Sequence, residues 1–149
     1  MIPISKALKI IERESNPLGT ERIEIADSIG RVLAENIVAD SDLPPFNRSQ
    51  MDGYAVKAAD TETAPVTLQI VGESAAGRGW HNKLNRGEAV RIMTGAPVPA
   101  GADAVQKIEL TEERDGKVII FESTEKGRFI VRKGVEIKKG RTVIKKGEI

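Results

Sequence analysis

The chain has 149 residues, of which 40% are hydrophobic and 30% are charged, and it contains no cysteine. This composition is typical of a globular chain with a core and not of a disordered one. The absence of cysteine excludes a disulfide framework, a thiolate zinc site and a cysteine nucleophile. Apolar runs stay far below the roughly 20 residues of a membrane span, and the first residues lack a signal-peptide pattern. We therefore expect a cytoplasmic protein without a membrane partner.

The formal net charge is +1, but it is unevenly distributed. Residues 126–149 contain nine Lys or Arg and two Glu, a local charge of +7, which leaves −6 for residues 1–125. A basic segment attracts phosphate-rich ligands, or it forms an ordinary solvated surface. Only one of the five aromatic residues, Phe129, lies in this segment. Binding sites for single-stranded nucleic acid interleave aromatic and basic side chains. We therefore expect no nucleic-acid partner.

The first forty residues predict one helix followed by extended structure. Apolar residues recur at helical spacing and predict a helix over residues 4–15. Residues 21–25 alternate polar and apolar side chains, which predicts a half-buried strand. A short helical turn is expected over residues 26–30, and extended chain over residues 31–39.

The middle of the chain predicts strands at residues 66–71 and 89–93, separated by a loop at residues 75–86. Two further apolar runs, at residues 104–110 and 117–122, flank Arg114-Asp115-Gly116. Because Asp-Gly is a strong signal for a tight turn between strands, these runs predict a β-hairpin.

The last section contains four Lys-Gly pairs, at residues 126–127, 133–134, 139–140 and 146–147. Short β-branched runs lie between them, which predicts a meander of short strands with glycine at the turns. The pattern breaks off at residue 149, and we expect the chain to be a piece of a longer protein.

Two segments combine turn residues with polar side chains. In residues 42–56 a Pro-Pro pair precedes Asn, Arg, Ser and Asp, and an Asp-Gly turn leads into a strand. Asp52 in that turn either holds a hard cation or a water, or accepts N–H groups of its own turn. In residues 90–105 a strand ends in a loop rich in Gly and Pro, with Thr94 at its start. That loop either presents a hydroxyl and N–H groups to an anion or is a plain turn.

A third segment, residues 128–140, contains Arg132 and Lys133, which either bind phosphate or lie on an exposed turn. Taken together, the three segments resemble the N-terminal region of the MoeA family. The matching strings are FNRSQMDGYAV at residues 46–56 and RIMTGAPVPAGADAV at residues 91–105. A weaker match is RKGVEI at residues 132–137.

The resemblance implies molybdenum cofactor synthesis. The family inserts molybdate into adenylylated molybdopterin and releases AMP, with Mg²⁺ or a similar cation. It implies a homodimer whose active site lies between the pterin-binding domain of one subunit and this region of the other. Asp52 and Thr94 fall on the family's catalytic positions, with Asp52 also the metal ligand. The substrate-binding positions carried over by the same motifs are Ser49, Met51, Gly53, Tyr54, Arg91, Gly95, Arg132 and Lys133.

The expected fold is a β-dominated α+β fold. We expect residues 1–25, completed by about residues 141–149, to form part of an elongated helix-plus-strand linking domain. Residues 26–140 should form a compact β-rich domain. The pterin-binding domain is expected beyond residue 149, so the chain alone should bind no cofactor and be inactive.

Two departures from the family bear on the third segment. Phe129 and Val131 stand where similar chains often carry Asn and Arg, and Val135-Glu136 stands where they often carry Glu-Asp. The role of that segment in the active site is therefore open. The alternative to a catalytic half-site is a non-catalytic dimerisation or protein-binding module.

Overall fold

The computed structural model describes residues 2–16 and 18–149. It contains one α-helix, α1 (Ile4–Glu14), and short 3-10 turns at Ile25–Asp27, Ala58–Thr61 and Ile108–Leu110. The strands are β1 (Ile37–Val38), β2 (Arg48–Ser49), β3 (Gly53–Val56), β4 (Val66–Ser74), β5 (Glu88–Ile92), β6 (Ala104–Lys107), β7 (Thr111–Arg114), β8 (Lys117–Ile120), β9 (Ile130–Val131) and β10 (Thr142–Ile144). The β-dominated α+β prediction is confirmed.

Six strands form one mixed sheet in the order β6-β3-β5-β4-β8-β7. Strand β3 is antiparallel to both β5 and β6, whereas β4 is parallel to β5. The Tyr54 hydroxyl of β3 donates a 2.6 Å hydrogen bond to Glu113 of β7, which lies four places away in the strand order. This contact shows that the sheet is curled. In this order β3 is an interior strand, with β6 on one side and β5 on the other.

Side chains of successive strand residues point to opposite faces of the sheet, which produces two apolar clusters. The first contains Tyr54, Val56, Leu68, Ala89, Ala104, Val118 and Ile120. The second contains Ala55, Leu84, Val90, Ile92, Ala96 and Val105. Each fully buried branched or aromatic side chain contributes about 1.5–3 kcal/mol through the hydrophobic effect. Strand β3, which begins directly after Asp52, is thus anchored on both faces.

The chain divides into two compact units. One comprises Met1–Ile37 and Val143–Ile149, and the other comprises Val38–Thr142. The first unit contains α1, in which no residue is buried. The second contains the six-stranded sheet. Within the part of the chain that the structure describes, no helix is long and apolar enough to cross a membrane.

Residues 129–137, here called the return segment, run antiparallel to residues 43–50. Ser49 pairs with Ile130 in β2 and β9, and Leu43 pairs with Ile137 at the other end. The predicted meander is therefore wrong, because β9 pairs with β2 and β10 with β1 instead of with each other. The four Lys-Gly glycines all have φ between 68° and 92°, so the predicted turn role of glycine is confirmed.

Several other elements agree with the sequence pattern. The helix, the two middle strands, the loop between them and the Asp115-Gly116 turn are confirmed. The first arm of the hairpin is wrong in position, since β7 begins at Thr111 and residues 104–110 form β6 and a 3-10 turn. The hairpin's apolar run belongs to β6, whose partner is β3.

The strand predicted over residues 21–25 is also wrong. Those residues form no strand, and the nearby 3-10 turn starts at Ile25. Ile23 and Ile25 are 40% and 88% exposed, so the alternating pattern has no core face to bury. Within residues 31–39, which were expected to be extended, the structure has the two-residue strand β1.

Gly53 is required where β3 begins. A Cβ built on Gly53 would lie 1.9 Å from the carbonyl oxygen of Gln106, far inside any real contact. The backbone φ is also +155°, which L side chains rarely adopt. Only glycine allows β6 to approach this closely beside Asp52.

We predict that Gly53→Ala destabilises the chain by about 3 kcal/mol, because a backbone oxygen must move to admit the methyl group. Gly87→Ala is the matched control, since Gly87 also has positive φ (+74°) but has nothing within 4 Å of the added methyl. Urea unfolding followed by circular dichroism measures both. Equal losses of stability in the two variants would contradict the close-approach explanation.

Candidate functional site

The register of the sheet brings Asp52 and Thr94 together. Gly53, the first residue of β3, lies opposite Ile92, the last residue of β5. Because the strands are antiparallel, the residue before β3 and the residues after β5 leave the sheet at the same end. Asp52 and Thr94 are the side chains at those two positions, and both are exposed.

Thr94 donates two hydrogen bonds to one oxygen of Asp52. The backbone N–H and the hydroxyl of Thr94 each lie 2.7 Å from Asp52 Oδ1. The carboxylate thus accepts an N–H from a loop 42 positions away and not from its own turn. Among residues 2–16 and 18–149, no hydrogen bond reaches the second oxygen, Oδ2. The pair therefore presents one free carboxylate oxygen to solvent.

The backbone around the pair is fixed on both sides. The N–H of Gly95 donates to the carbonyl of Ser49 (2.9 Å), and the N–H of Ser49 donates to the carbonyl of Ala96 (3.0 Å). The carbonyl of Asp52 accepts the N–H of Ile108 at 3.0 Å. These contacts tie the Asp52 turn to the Thr94 loop and to the end of β6.

Ser49 and Met51 form the turn itself. The Ser49 hydroxyl donates to the carbonyl of Met51 at 2.6 Å and accepts the Met51 N–H at 3.2 Å. Ser49 is fully buried, and Met51 is half-buried. The hydroxyl is therefore consumed by the turn, and Met51 is the more accessible of the two.

Tyr54 and Arg91 lie opposite each other on β3 and β5. Tyr54 is 1% exposed, and the Arg91 guanidinium lies 5.7 Å from the centre of its ring. Both side chains bind Glu113, the tyrosine through its hydroxyl and the arginine through an ion pair. Arg91 also lies 3.9 Å from Glu73. The positive charge of Arg91 is thus matched by acidic neighbours, and nothing in the sequence pattern indicated Glu113.

Arg132 and Lys133 are both exposed. The Lys133 N–H donates to the Asn47 side-chain oxygen at 2.9 Å, and its ammonium lies 3.5 Å from Asp42. The return segment therefore places Lys133 beside Asp42 and Asn47, in the first half of the segment 42–56.

Hydrogen bonding keeps the Asp52 carboxyl ionised. The Thr94 N–H, and to a lesser extent its hydroxyl, lower the pKa of Asp52 below the usual aspartate value, against a smaller opposing effect of desolvation. Both donors favour the charged form of a carboxyl group. A lowered folded-state pKa contributes stability above the unfolded pKa, and this contribution is lost as pH falls through the folded pKa.

One carboxylate can share a divalent cation with a ligand. Among the described residues, no group of three or more His, Cys, Asp or Glu side chains is arranged to hold a metal ion. Mg²⁺ is commonly held by one or two carboxylates together with substrate phosphates and water. Asp52 Oδ2 fits that role, whereas a site built entirely from protein side chains does not fit the described residues.

We predict that Thr94→Val raises the pKa of Asp52 but leaves it below the usual aspartate value. Valine removes the hydroxyl donor and keeps the N–H, which is the larger cause of the shift. Carboxyl ¹³C chemical shifts followed against pH measure this change. Asp42 is an internal control, because its pKa is lowered mainly by the Lys139 N–H. An unchanged Asp52 pKa, or equal shifts at both carboxyls, would contradict the two-donor arrangement.

The chain resembles known proteins along nearly its whole length. The family model of the MoeA N-terminal region (domain I and II) matches residues 2–149. Molybdopterin molybdenumtransferase of Bacillus subtilis is 38% identical over 154 residues, covering 98% of this chain and 36% of the relative. The enzyme of the same name from Staphylococcus aureus is 34% identical and covers 99% of this chain and 36% of the relative.

Solved structures show the same likeness. A crystal structure of the molybdopterin biosynthesis MoeA protein from Pyrococcus horikoshii OT3 superposes with a TM-score of 0.88 at 34% identity, covering 98% of this chain and 40% of that one. Another MoeA structure from Pyrococcus gives 0.84 at 39% identity, covering 97% and 38%. The chain thus spans about a third of the length of the curated relatives it matches. By sequence and by fold, this chain belongs to the MoeA family, as its N-terminal region.

Proposed function

We propose that the chain is the N-terminal part of an enzyme of molybdenum cofactor biosynthesis. In this proposal the whole enzyme inserts molybdate into adenylylated molybdopterin and releases AMP, and the chain supplies one side of the active site. The observation that carries the proposal is the exposed pair of Asp52 and Thr94, which joins the two loops of the family motifs. Support comes from relatives named molybdopterin molybdenumtransferase that match the chain end to end.

Asp52 acts as an ionised carboxylate. Its Oδ1 is occupied by Thr94, so Oδ2 is the atom that contacts a water or a Mg²⁺ ion. Bound there together with substrate phosphate oxygens, Mg²⁺ would supply charge neutralisation at the phosphoryl group. An aspartate is ionised at neutral pH, and the lowered pKa of Asp52 extends its charged form to more acidic solution.

Thr94 orients Asp52 and does not deliver a proton. Its hydroxyl hydrogen is committed to Asp52 Oδ1, so the hydroxyl oxygen is left to accept a hydrogen bond from a ligand. Two donors from one residue fix the carboxylate plane more firmly than a single donor would. Thr94 is therefore proposed as the residue that positions the reacting carboxylate.

The remaining predicted residues divide by exposure. Ser49, Gly53 and Tyr54 are buried, and we propose that they shape the turn and the strand beneath the site. The accessible ones are Met51, Arg91, Gly95, Arg132 and Lys133. Of these, Met51 and Gly95 adjoin the Asp52–Thr94 pair in sequence and are proposed to contact substrate there. Arg132 and Lys133 are proposed to contact an anionic part of the substrate.

The proposed site needs a second protein surface. One exposed carboxylate and one hydroxyl do not enclose a pterin, and ligand sites usually bury most of the ligand. We propose that a pterin-binding domain of a partner subunit in a homodimer provides that enclosure. The alternative is a non-catalytic dimerisation or binding module. This alternative is favoured by the exposed apolar side chains of α1, which are Ile4, Leu8 and Ile11.

Substitution of the carboxylate tests the proposal. In a polypeptide that joins this chain to the remaining two-thirds of a MoeA relative, Asp52→Asn should lower molybdenum insertion at least about a hundredfold. Asparagine keeps the shape of the side chain but cannot hold a cation with a charged oxygen. The measurement is cofactor formed from adenylylated molybdopterin, molybdate and Mg²⁺, together with AMP released.

Asp115→Asn is the matched control. Asp115 lies in the β7–β8 turn with φ of 51°, which asparagine adopts readily, so activity and folding should persist. Near-normal insertion by the Asp52→Asn protein would falsify the catalytic role. If that protein also retained self-association, the dimerisation module would be the better description.

A further inference from the structure

Phe129 has an unusual backbone conformation for a bulky residue. Its φ is +56°, in the left-handed region that glycine and asparagine tolerate best. Such strain persists only where surrounding contacts enforce it, and it is concentrated at functional positions. Here the contacts are backbone hydrogen bonds on both sides of the residue. The Phe129 carbonyl accepts the Gln50 N–H at 2.9 Å, and the Arg128 carbonyl accepts the Val105 N–H at 3.1 Å.

The strained conformation holds the ring against two cations. The ring packs on the second apolar cluster and is half-buried. The Lys107 ammonium lies 5.4 Å from the ring centre, and the Arg128 guanidinium lies 5.1 Å from it. Both distances are within the range of a cation–π contact. The two positive charges are therefore less than 11 Å apart on one neutral side chain.

Among the described residues, neither cation has a carboxylate partner within ion-pair distance. Within residues 2–16 and 18–149, no ion pair includes Lys107 or Arg128, whereas Arg91 and Lys133 each have acidic partners. A cation–π contact holds a charge in place at exposed sites with only about 0.5–1 kcal/mol, so it leaves the ammonium able to bind an anion. The positive groups of Lys107 and Arg128 are thus held in position by the Phe129 ring, and their charge is available to an anion.

These cations lie next to the Asp52 turn. Lys107, the last residue of β6, is the register partner of Gly53, which follows Asp52. The next residue, Ile108, donates its N–H to the Asp52 carbonyl. Arg128 immediately precedes Phe129, whose carbonyl accepts the Gln50 N–H. Both positive charges are thus carried by residues adjacent to the turn that presents the free oxygen of Asp52.

We propose that Lys107 and Arg128, held on Phe129, form a binding site for a tetrahedral oxyanion beside Asp52. The ligand class is a dianion of the phosphate or molybdate type, and both sources share the chemistry of charge-assisted hydrogen bonds to Lys and Arg. The inference rests on the proposed function for its place in the reaction, in which the site holds the oxyanion while Asp52 holds the cation. Its anion affinity is a property of this chain alone.

Titration of the 149-residue chain with inorganic phosphate and, separately, with sodium molybdate tests the site. Binding is followed by ¹H–¹⁵N spectra at constant ionic strength and pH, where the amides of Lys107, Arg128 and Phe129 should shift together. Lys107→Gln should weaken binding at least about tenfold. Phe129→Leu keeps an apolar side chain but removes the ring that holds both cations, and it should weaken binding about threefold.

Lys117→Gln and Phe121→Leu are matched controls of the same residue types. Lys117 is exposed on β8 and Phe121 is 44% exposed, and neither contacts the cation–π group. Both controls should bind like the unchanged chain. The proposal is supported if the chain binds phosphate or molybdate and Lys107→Gln loses that binding. The anion that binds identifies the ligand of the site. Absence of binding by both anions, or equal losses in Lys107→Gln and Lys117→Gln, would overturn it.

Asp52→Asn separates this inference from the proposed function. Removal of a nearby negative charge should leave anion affinity unchanged or raise it. If the anion site is found but Asp52→Asn supports normal molybdenum insertion, the proposed function fails and the site stands. If Asp52→Asn abolishes insertion while neither anion binds, the site fails and the proposed function stands.

Discussion

The antiparallel pairing of β3 with β5 is the constraint on which the site depends. It fixes Gly53 opposite Ile92, and thereby places Asp52 against Thr94 although 42 positions separate them. The pairing is held by side chains buried on both faces of the sheet and by the approach of β6 over Gly53. The functional pair is exposed, but its position is set by the core beneath it.

Charge is arranged around this turn in three different ways. The charged form of Asp52 is favoured by Thr94, which donates twice to one oxygen and lowers the pKa of the carboxyl. Arg91 is neutralised by Glu113 and Glu73, so it links β5 to β7 and β4. Lys107 rests on the ring of Phe129 without an acidic partner among the described residues. A free carboxylate oxygen and an unmatched cation on neighbouring backbone positions suit a ligand that carries both an oxyanion and a divalent cation.

Local patterns in the sequence predicted the parts of this arrangement better than their assembly. The turn at Asp52, the loop at Thr94 and the Asp115-Gly116 turn were visible because turn residues act over a few positions. The hydrogen bonds between Asp52 and Thr94, and the pairing of the return segment with residues 43–50, were not. Both are non-local contacts that a single sequence does not encode in its periodicity. The alternation at residues 21–25 led to a wrong strand prediction for the same reason, since in the described part of the chain no strand pairs with it.

The most direct test of the central contact is hydrogen exchange at the Thr94 amide. This amide lies in an exposed loop, so its only strong protection is the hydrogen bond to Asp52 Oδ1. In Asp52→Ala, the Thr94 amide should lose its protection, while the Val90 amide in the middle of β5 should exchange as before. The account would be contradicted if, in the unsubstituted chain, the Thr94 amide exchanged as fast as an amide of an unfolded chain. It would also be contradicted if Asp52→Ala reduced the protection of the Val90 amide as much as that of Thr94.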